Sequence, residues 1–174
     1  DHLNGHGILQ SFAIEDSEEW QDLPLLDQAP SLKNLLQQLP LSIKSVRLMR
    51  LDSGALIKPH RDHGLCLERG EARLHLPLQT NAELRFYVAD QLVPMQEGEL
   101  WYINADEPHW VENKGALARI NLVIDCEAND WLKEQVLQEK GRGEASRPVH
   151  AREKQWLTQE LRLRKTAAQL CETY

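Results

Sequence analysis

The chain has 174 residues, of which 41% are hydrophobic and 27% charged, and a formal net charge of -7. That length suits one domain with a core of its own, and the acidic balance argues against nucleic acid or an anionic membrane surface as a main partner. Three widely spaced cysteines, Cys66, Cys126 and Cys171, form neither a disulfide framework nor a cysteine zinc site, so a cytoplasmic location is expected.

No apolar run approaches the length of a membrane span. The chain opens at Asp1 in mid-pattern, and residues upstream of it are expected. In residues 1–30 polar clusters alternate with short apolar pieces that assign little. Ser31 to Leu39 places Leu32, Leu35, Leu36 and Leu39 at the i, i+3, i+4, i+7 spacing of a helix facing a core, with Ser31 as its cap and Pro40 as its stop. From Ile43 the period changes to two. Strands are expected over Ile43–Leu51, Glu71–Leu78, Leu84–Val88, Glu99–Asn104 and Ala118–Asp125, with turn residues such as Asp52-Ser53-Gly54 and Glu97-Gly98 between them. Short strands at this spacing indicate a β-sandwich or barrel.

After Cys126 the pattern becomes helical. Asp130–Lys140 reads as one helix, capped by Asn129 or Asp130 and stopped by Gly141, and Ala151–Cys171 as another. The expected organisation is a core over residues 1–128, including an N-terminal helical part, with a C-terminal helical extension over 129–174 packed on it.

The chemistry gathers around Lys58-Pro59-His60-Arg61-Asp62-His63-Gly64. On an extended segment, side chains alternate at period two, so His60 and Asp62 point to the same side and offer an imidazole nitrogen beside a carboxylate oxygen. A distant second histidine would complete a 2-His-1-carboxylate triad, the arrangement of non-haem Fe(II) oxygenases. His109, in Glu107-Pro108-His109-Trp110, is the candidate; the competing reading is a loop histidine in a turn made by Pro108. His63 falls on the other face from Asp62 and reads as a supporting residue. Trp101, Tyr102 and Trp110 are candidate shields of the pocket.

Two arginines add to the pattern. Arg119 shares a strand face with Asn121, Val123 and Asp125, opposite the aliphatic Ile120, Leu122 and Ile124; Arg73 shares one with His75, opposite Leu74, Leu76 and Leu78. A guanidinium on an inward polar face grips a carboxylate through two parallel hydrogen bonds, so the pair suits a dicarboxylate. The alternative is that both pair with surface acids such as Glu71 or Glu83.

Gly54 with the residues up to His60-x-Asp62 resembles the first cupin motif, with its second histidine replaced by Asp. Pro108-His109 followed by Asn113 resembles the second. More specifically, Ile57-Lys58-Pro59-His60-Arg61-Asp62, Arg73-Leu74-His75-Leu76-Pro77-Leu78, Gly98-Glu99-Leu100-Trp101-Tyr102-Ile103-Asn104 and Arg119-Ile120-Asn121-Leu122-Val123-Ile124-Asp125 resemble the aspartyl/asparaginyl β-hydroxylase family, which includes bacterial proline cis-hydroxylases. The resemblance implies a double-stranded β-helix, Fe(II), 2-oxoglutarate and dioxygen. His60, Asp62 and His109 would be the iron ligands and Arg119 would hold the distal carboxylate of 2-oxoglutarate. Arg73 and His75 would line the co-substrate pocket. The implied reaction hydroxylates an amino-acid side chain, free or peptidyl, while 2-oxoglutarate is decarboxylated to succinate. The competing classes are a metal cupin of other chemistry, which has no need of Arg119, and a non-catalytic cupin that binds a small ligand.

Overall fold

The computed structural model describes residues 22–140, and the second C-terminal helix expected over Ala151–Cys171 lies outside them. In chain order the elements are α1 (Pro24–Asp27), α2 (Pro30–Gln38), β1 (Ile43–Leu51), β2 (Leu56–His60), β3 (Glu71–Gln79), β4 (Leu84–Val88), β5 (Gln91–Leu92), β6 (Trp101–Ile103), β7 (His109–Asn113), β8 (Arg119–Glu127) and α3 (Asp130–Lys140). The strands form two four-stranded sheets, ordered β1-β8-β3-β6 and β2-β7-β4-β5, with antiparallel pairing throughout. Apart from the β4–β5 hairpin, successive strands alternate between the two sheets, which is the winding of a jelly roll, the double-stranded β-helix.

The helices lie where the leucine pattern places them. Leu32 and Leu35 on α2, and Leu39 just after it, are buried and pack with Leu74, Leu76, Leu78, Leu122 and Ile124 against the outer face of the first sheet. Ser31 is not the cap of α2. Pro30 occupies its first turn, where the missing N–H costs no hydrogen bond, and Ala29 stands at the cap position without a side-chain bond. The other helix behaves as expected: the Leu132 N–H donates to Asn129 Oδ1 at 3.0 Å, and Asn129 Nδ2 donates in turn to the Pro40 carbonyl at 2.6 Å. Leu132 is fully buried in the same cluster, so α3 covers the sheet beside α2. Among the described residues no helix is long and apolar enough to cross a membrane.

A second cluster fills the space between the sheets, with Phe86, Trp101, Ile103 and Val111 at its centre. The first sheet therefore has helices on one face and the barrel interior on the other, and its central strands β3 and β8 are buried on both. Truncating Leu122 or Ile124 to Ala would cost about 2–5 kcal/mol. The inner face of this sheet is where the unusual residues lie. Its register sets Ser45 and Arg73 on either side of Asp125, and His75 beside Val123.

Candidate metal centre

His60 and His109 are cross-strand partners, the last residue of β2 and the first of β7. A register shift between Ile57 and His60 inserts an extra residue around Pro59 and re-aims the strand end. Asp62 lies just past the strand rather than on it. Its N–H donates to the Ala105 carbonyl at 2.9 Å, and the Ala105 N–H returns a bond to Leu65 at 3.2 Å. The Arg61 side chain adds a bond to the Asp106 carbonyl at 2.7 Å. Gly64, at φ +90°, reverses the chain immediately afterwards, a conformation that glycine reaches without strain. The segment that carries Asp62 is thus tied to the segment that leads into His109.

Each of the three residues offers a ligand atom, and those atoms all lie within 4.8 Å of one another. Both histidines are held in the tautomer that a metal needs. His60 Nδ1 lies 2.8 Å from the Lys58 carbonyl and His109 Nδ1 lies 3.0 Å from the Glu107 carbonyl. A carbonyl can only accept, so Nδ1 carries the proton in each ring and Nε2 keeps its lone pair. His109 Nε2 stands 3.6 Å from Asp62 Oδ2. Burial pushes the Asp62 carboxyl up, but hydrogen bonding and the charge of Arg73 beside it outweigh this and hold it at about 2. Asp62 is therefore an anion across the neutral range. Two imidazole nitrogens and one carboxylate, with no further donor in the group among the described residues, are the chemistry of a metal site with open positions. His63 stays outside: it is 84% exposed and pairs with Asp106 at 3.3 Å.

Behind the triad the inner face of the first sheet is polar. Arg119 is only 4% exposed, and its Nε and Nη2 have no hydrogen-bond partner among the described residues. Burial lowers its guanidinium to about 10, which still leaves it a cation at neutral pH. Its Cζ lies 5.5 Å from the centre of the Phe86 ring, and Phe86 stacks at 6.4 Å on His109. His75 accepts from Asn121 Nδ2 through Nδ1 at 3.0 Å, which places its proton on Nε2, and that atom is buried without a partner among the described residues. Burial, and then the charge of Arg119, lowers His75 well below the usual histidine range, so it is neutral. An unpaired buried guanidinium and an unpaired imidazole N–H on one interior face fit a carboxylate ligand.

Arg73 differs from Arg119 in being fully engaged. Its Nε and Nη2 donate to the two oxygens of Asp125 at 2.6 and 2.9 Å, and its Nη1 donates to Asp62. Neither arginine pairs with Glu71 or Glu83. The acid that meets Arg73 is Asp125, which also accepts from Arg47 Nη2 at 2.8 Å and Ser45 Oγ at 3.1 Å. Sequence reasoning gave Asp125 and Arg47 no role, although the alternation of β8 already put Asp125 on the same face as Arg119.

The aromatic residues divide by strand parity. Trp101 is buried between the sheets, its Nε1 donating to Glu99 at 2.9 Å. Tyr102 faces the helix-covered core, where its hydroxyl accepts from the Leu67 N–H at 3.3 Å. Trp110 follows the inward His109 and points outward, stacked on Tyr87 at 4.2 Å. Only Trp101 of the three faces the barrel interior. Asn113 is a structural residue: its Nδ2 donates to the carbonyls of Leu51, Asp52 and Leu117 at 3.0, 3.1 and 2.9 Å, closing the loop ends around β7.

Among curated proteins, the L-proline cis-4-hydroxylase of Rhizobium meliloti (strain 1021) is 34% identical over 87 residues, 50% of this chain and 31% of that protein. The chain thus spans less than two thirds of the length of that relative. Among solved structures, a nickel complex of the non-heme monooxygenase ThoJ aligns at 16% identity and a TM-score of 0.41, over 76% of this chain and 65% of that one. A cupin domain of Bordetella pertussis aligns at 17% and 0.39, over 52% and 88%. Both scores are low, and the fold assignment rests on the strand order. The model of the family described as Aspartyl/Asparaginyl beta-hydroxylase matches residues 10–129, well over half of the chain and all of the barrel. With the eight strands, the His-Asp-His cluster and the inward arginine all inside that match, the chain belongs to the aspartyl/asparaginyl β-hydroxylase family.

Proposed function

We propose that this protein is an Fe(II)- and 2-oxoglutarate-dependent dioxygenase that hydroxylates an amino-acid side chain, free or within a peptide. His60, Asp62 and His109 would hold the iron; Arg119 would anchor 2-oxoglutarate, and His75 and Arg73 would line its pocket. The observation that carries the co-substrate is Arg119, a buried cation with unpaired donors facing the barrel interior. A cupin that only bound a metal would have no reason to bury it, because an uncompensated interior charge is strongly destabilising. Iron and 2-oxoglutarate, when bound, supply dioxygen activation coupled to decarboxylation of the co-substrate to succinate.

The chain's own part is placement. The Lys58 and Glu107 carbonyls hold the two imidazoles with Nε2 free. Arg119 offers a planar fork to the far carboxylate, and neutral His75 adds an Nε2–H donor. Phe86 and Trp101 lie in the apolar cluster between the sheets and would keep water from the site. The relative that hydroxylates L-proline makes free L-proline the first substrate to try. Buried free thiols at Cys66 and Cys126 agree with a reducing, cytoplasmic setting. The test is succinate release from 2-oxoglutarate in the presence of Fe(II) and an amino acid. Release that requires the amino acid, with a hydroxylated product of matching yield, supports the reading. Metal binding without any 2-oxoglutarate turnover or binding would refute it.

A further inference from the structure

Resting on the metal reading of His60, Asp62 and His109, we infer that Asp125 is a positioning residue for the metal centre, acting on Asp62 through Arg73. The two acids lie on different sheets. Asp125 is on β8 of the first sheet, whereas Asp62 follows β2 of the second. Arg73 joins them. Asp125 takes the Nε–Nη2 edge of the guanidinium with both carboxylate oxygens, at 2.6 and 2.9 Å. A planar fork held along one edge has its remaining nitrogen fixed in direction, and that nitrogen, Nη1, donates to Asp62 Oδ2.

The row that holds Asp125 is itself set by the sheet. Ser45 and Arg73 are its register partners on the two neighbouring strands, and Arg47 reaches it from β1. Side-chain exposures of 11% for Arg47, 12% for Arg73 and 8% for Asp125 put the row out of bulk water, where such bonds are strong and their loss is costly.

Charge explains why the second acid is needed. With Asp125 balancing it, Arg73 touches Asp62 through one nitrogen and leaves the carboxylate free to bind a cation. Without Asp125, Asp62 becomes the one carboxylate beside Arg73, and the fork closes on it in competition with the metal. The site would also gain a net positive charge. Both effects weaken metal binding. Partners that orient a ligating side chain change metal affinity by about 10–100-fold.

The experiment is anaerobic titration of the whole protein with Fe(II), and separately with Co(II), whose visible bands report ligand geometry. Melting of the metal-free protein is followed in parallel. Asp125→Asn should bind both metals at least tenfold more weakly and alter the Co(II) bands. Arg73→Lys, which keeps the charge and loses the fork, should weaken binding to the same order, and it carries the test if Asp125→Asn does not fold. The double variant should bind no more weakly than Arg73→Lys alone. Affinity within threefold of wild type in a folded single variant, or losses that multiply in the double variant, would overturn the assignment and leave Asp125 a stabilising ion pair. Failure of the wild type to bind either metal would overturn the metal reading itself, a separate outcome.

Discussion

The imidazoles of His60 and His109 stand with ring centroids 4.2 Å apart and planes tilted by 54°, paired across two strands that belong to the same sheet. Two rings so close, each with Nε2 unprotonated, share a cation readily. His109→Ala should therefore remove stoichiometric Fe(II) binding while the barrel stays folded. The buried ring leaves a cavity, and a loss of about 1–3 kcal/mol in stability should accompany it. Metal content after anaerobic loading, measured beside a melting curve, checks both parts.

Arg119→Met should separate stability from co-substrate binding. The variant removes a buried cation without a partner and keeps most of the volume, so the metal-free protein should be as stable as wild type or more stable, by about 1–3 kcal/mol. It should also lose the stabilisation that 2-oxoglutarate gives the metal-loaded wild type, about 2.7 kcal/mol at a hundredfold excess over Kd. Denaturant melts with and without the ligand read both effects.

His75 makes the metal-free protein sensitive to mild acid. Burial and the neighbouring Arg119 lower its folded pKa well below the ordinary value of 6.5. The unfolded chain then binds the extra proton first. The contribution is fully present above pH 6.5 and declines as pH falls below that value, with a slope approaching about 1.4 kcal/mol per unit for one proton. His75→Gln should flatten that part of the stability profile between pH 6.5 and 5. A slope unchanged in the variant would assign the acid sensitivity to another group.

Asn113 should prove important for folding and silent in chemistry. Its amide satisfies three backbone carbonyls, and its Oδ1 accepts from Gly115 N–H at 3.1 Å and from Asn81 Nδ2 at 2.9 Å. Asn113→Ala removes the bonds to the Leu51 and Asp52 carbonyls and from the Gly115 N–H, and should cost about 3 kcal/mol or more. Gly115→Ala should disturb the same knot, because a Cβ there would fall 2.0 Å from Asn81 Oδ1. By contrast, Trp110→Leu strips an outer-face stack and should lower stability by about 1 kcal/mol while leaving Fe(II) affinity within twofold. Urea melts and metal titrations of the three variants test this division.

Residue parity carried most of what could be read from the chain. Alternation put Arg119, Asn121 and Asp125 on one face of β8, and Arg73 and His75 on one face of β3, and those faces do line the barrel interior. The same rule, applied one residue past His109, sends Trp110 outward, so its place was legible too. Register was not legible: which residue of β3 lies beside Asp125 depends on pairing strands far apart in the chain, and without it the partner of Arg73 reads as a surface acid. Asp62 was assigned by period two from His60, but it lies beyond the strand, after a bulge, and is held by the bonds from Asp62 and Arg61 to the loop before His109. Ser31 misled because a polar residue near a helix start reads as a cap, whereas Pro30 already fills the first turn.

The most direct measurement is anaerobic addition of Fe(II) and then 2-oxoglutarate, watching the visible charge-transfer band of the iron chelate. The wild type should show the band at one equivalent of iron, and Arg119→Met should bind the iron without developing it at the same 2-oxoglutarate concentration. A wild type that binds Fe(II) but shows no band at saturating 2-oxoglutarate would contradict the assignment of Arg119 and, with it, the dioxygenase reading.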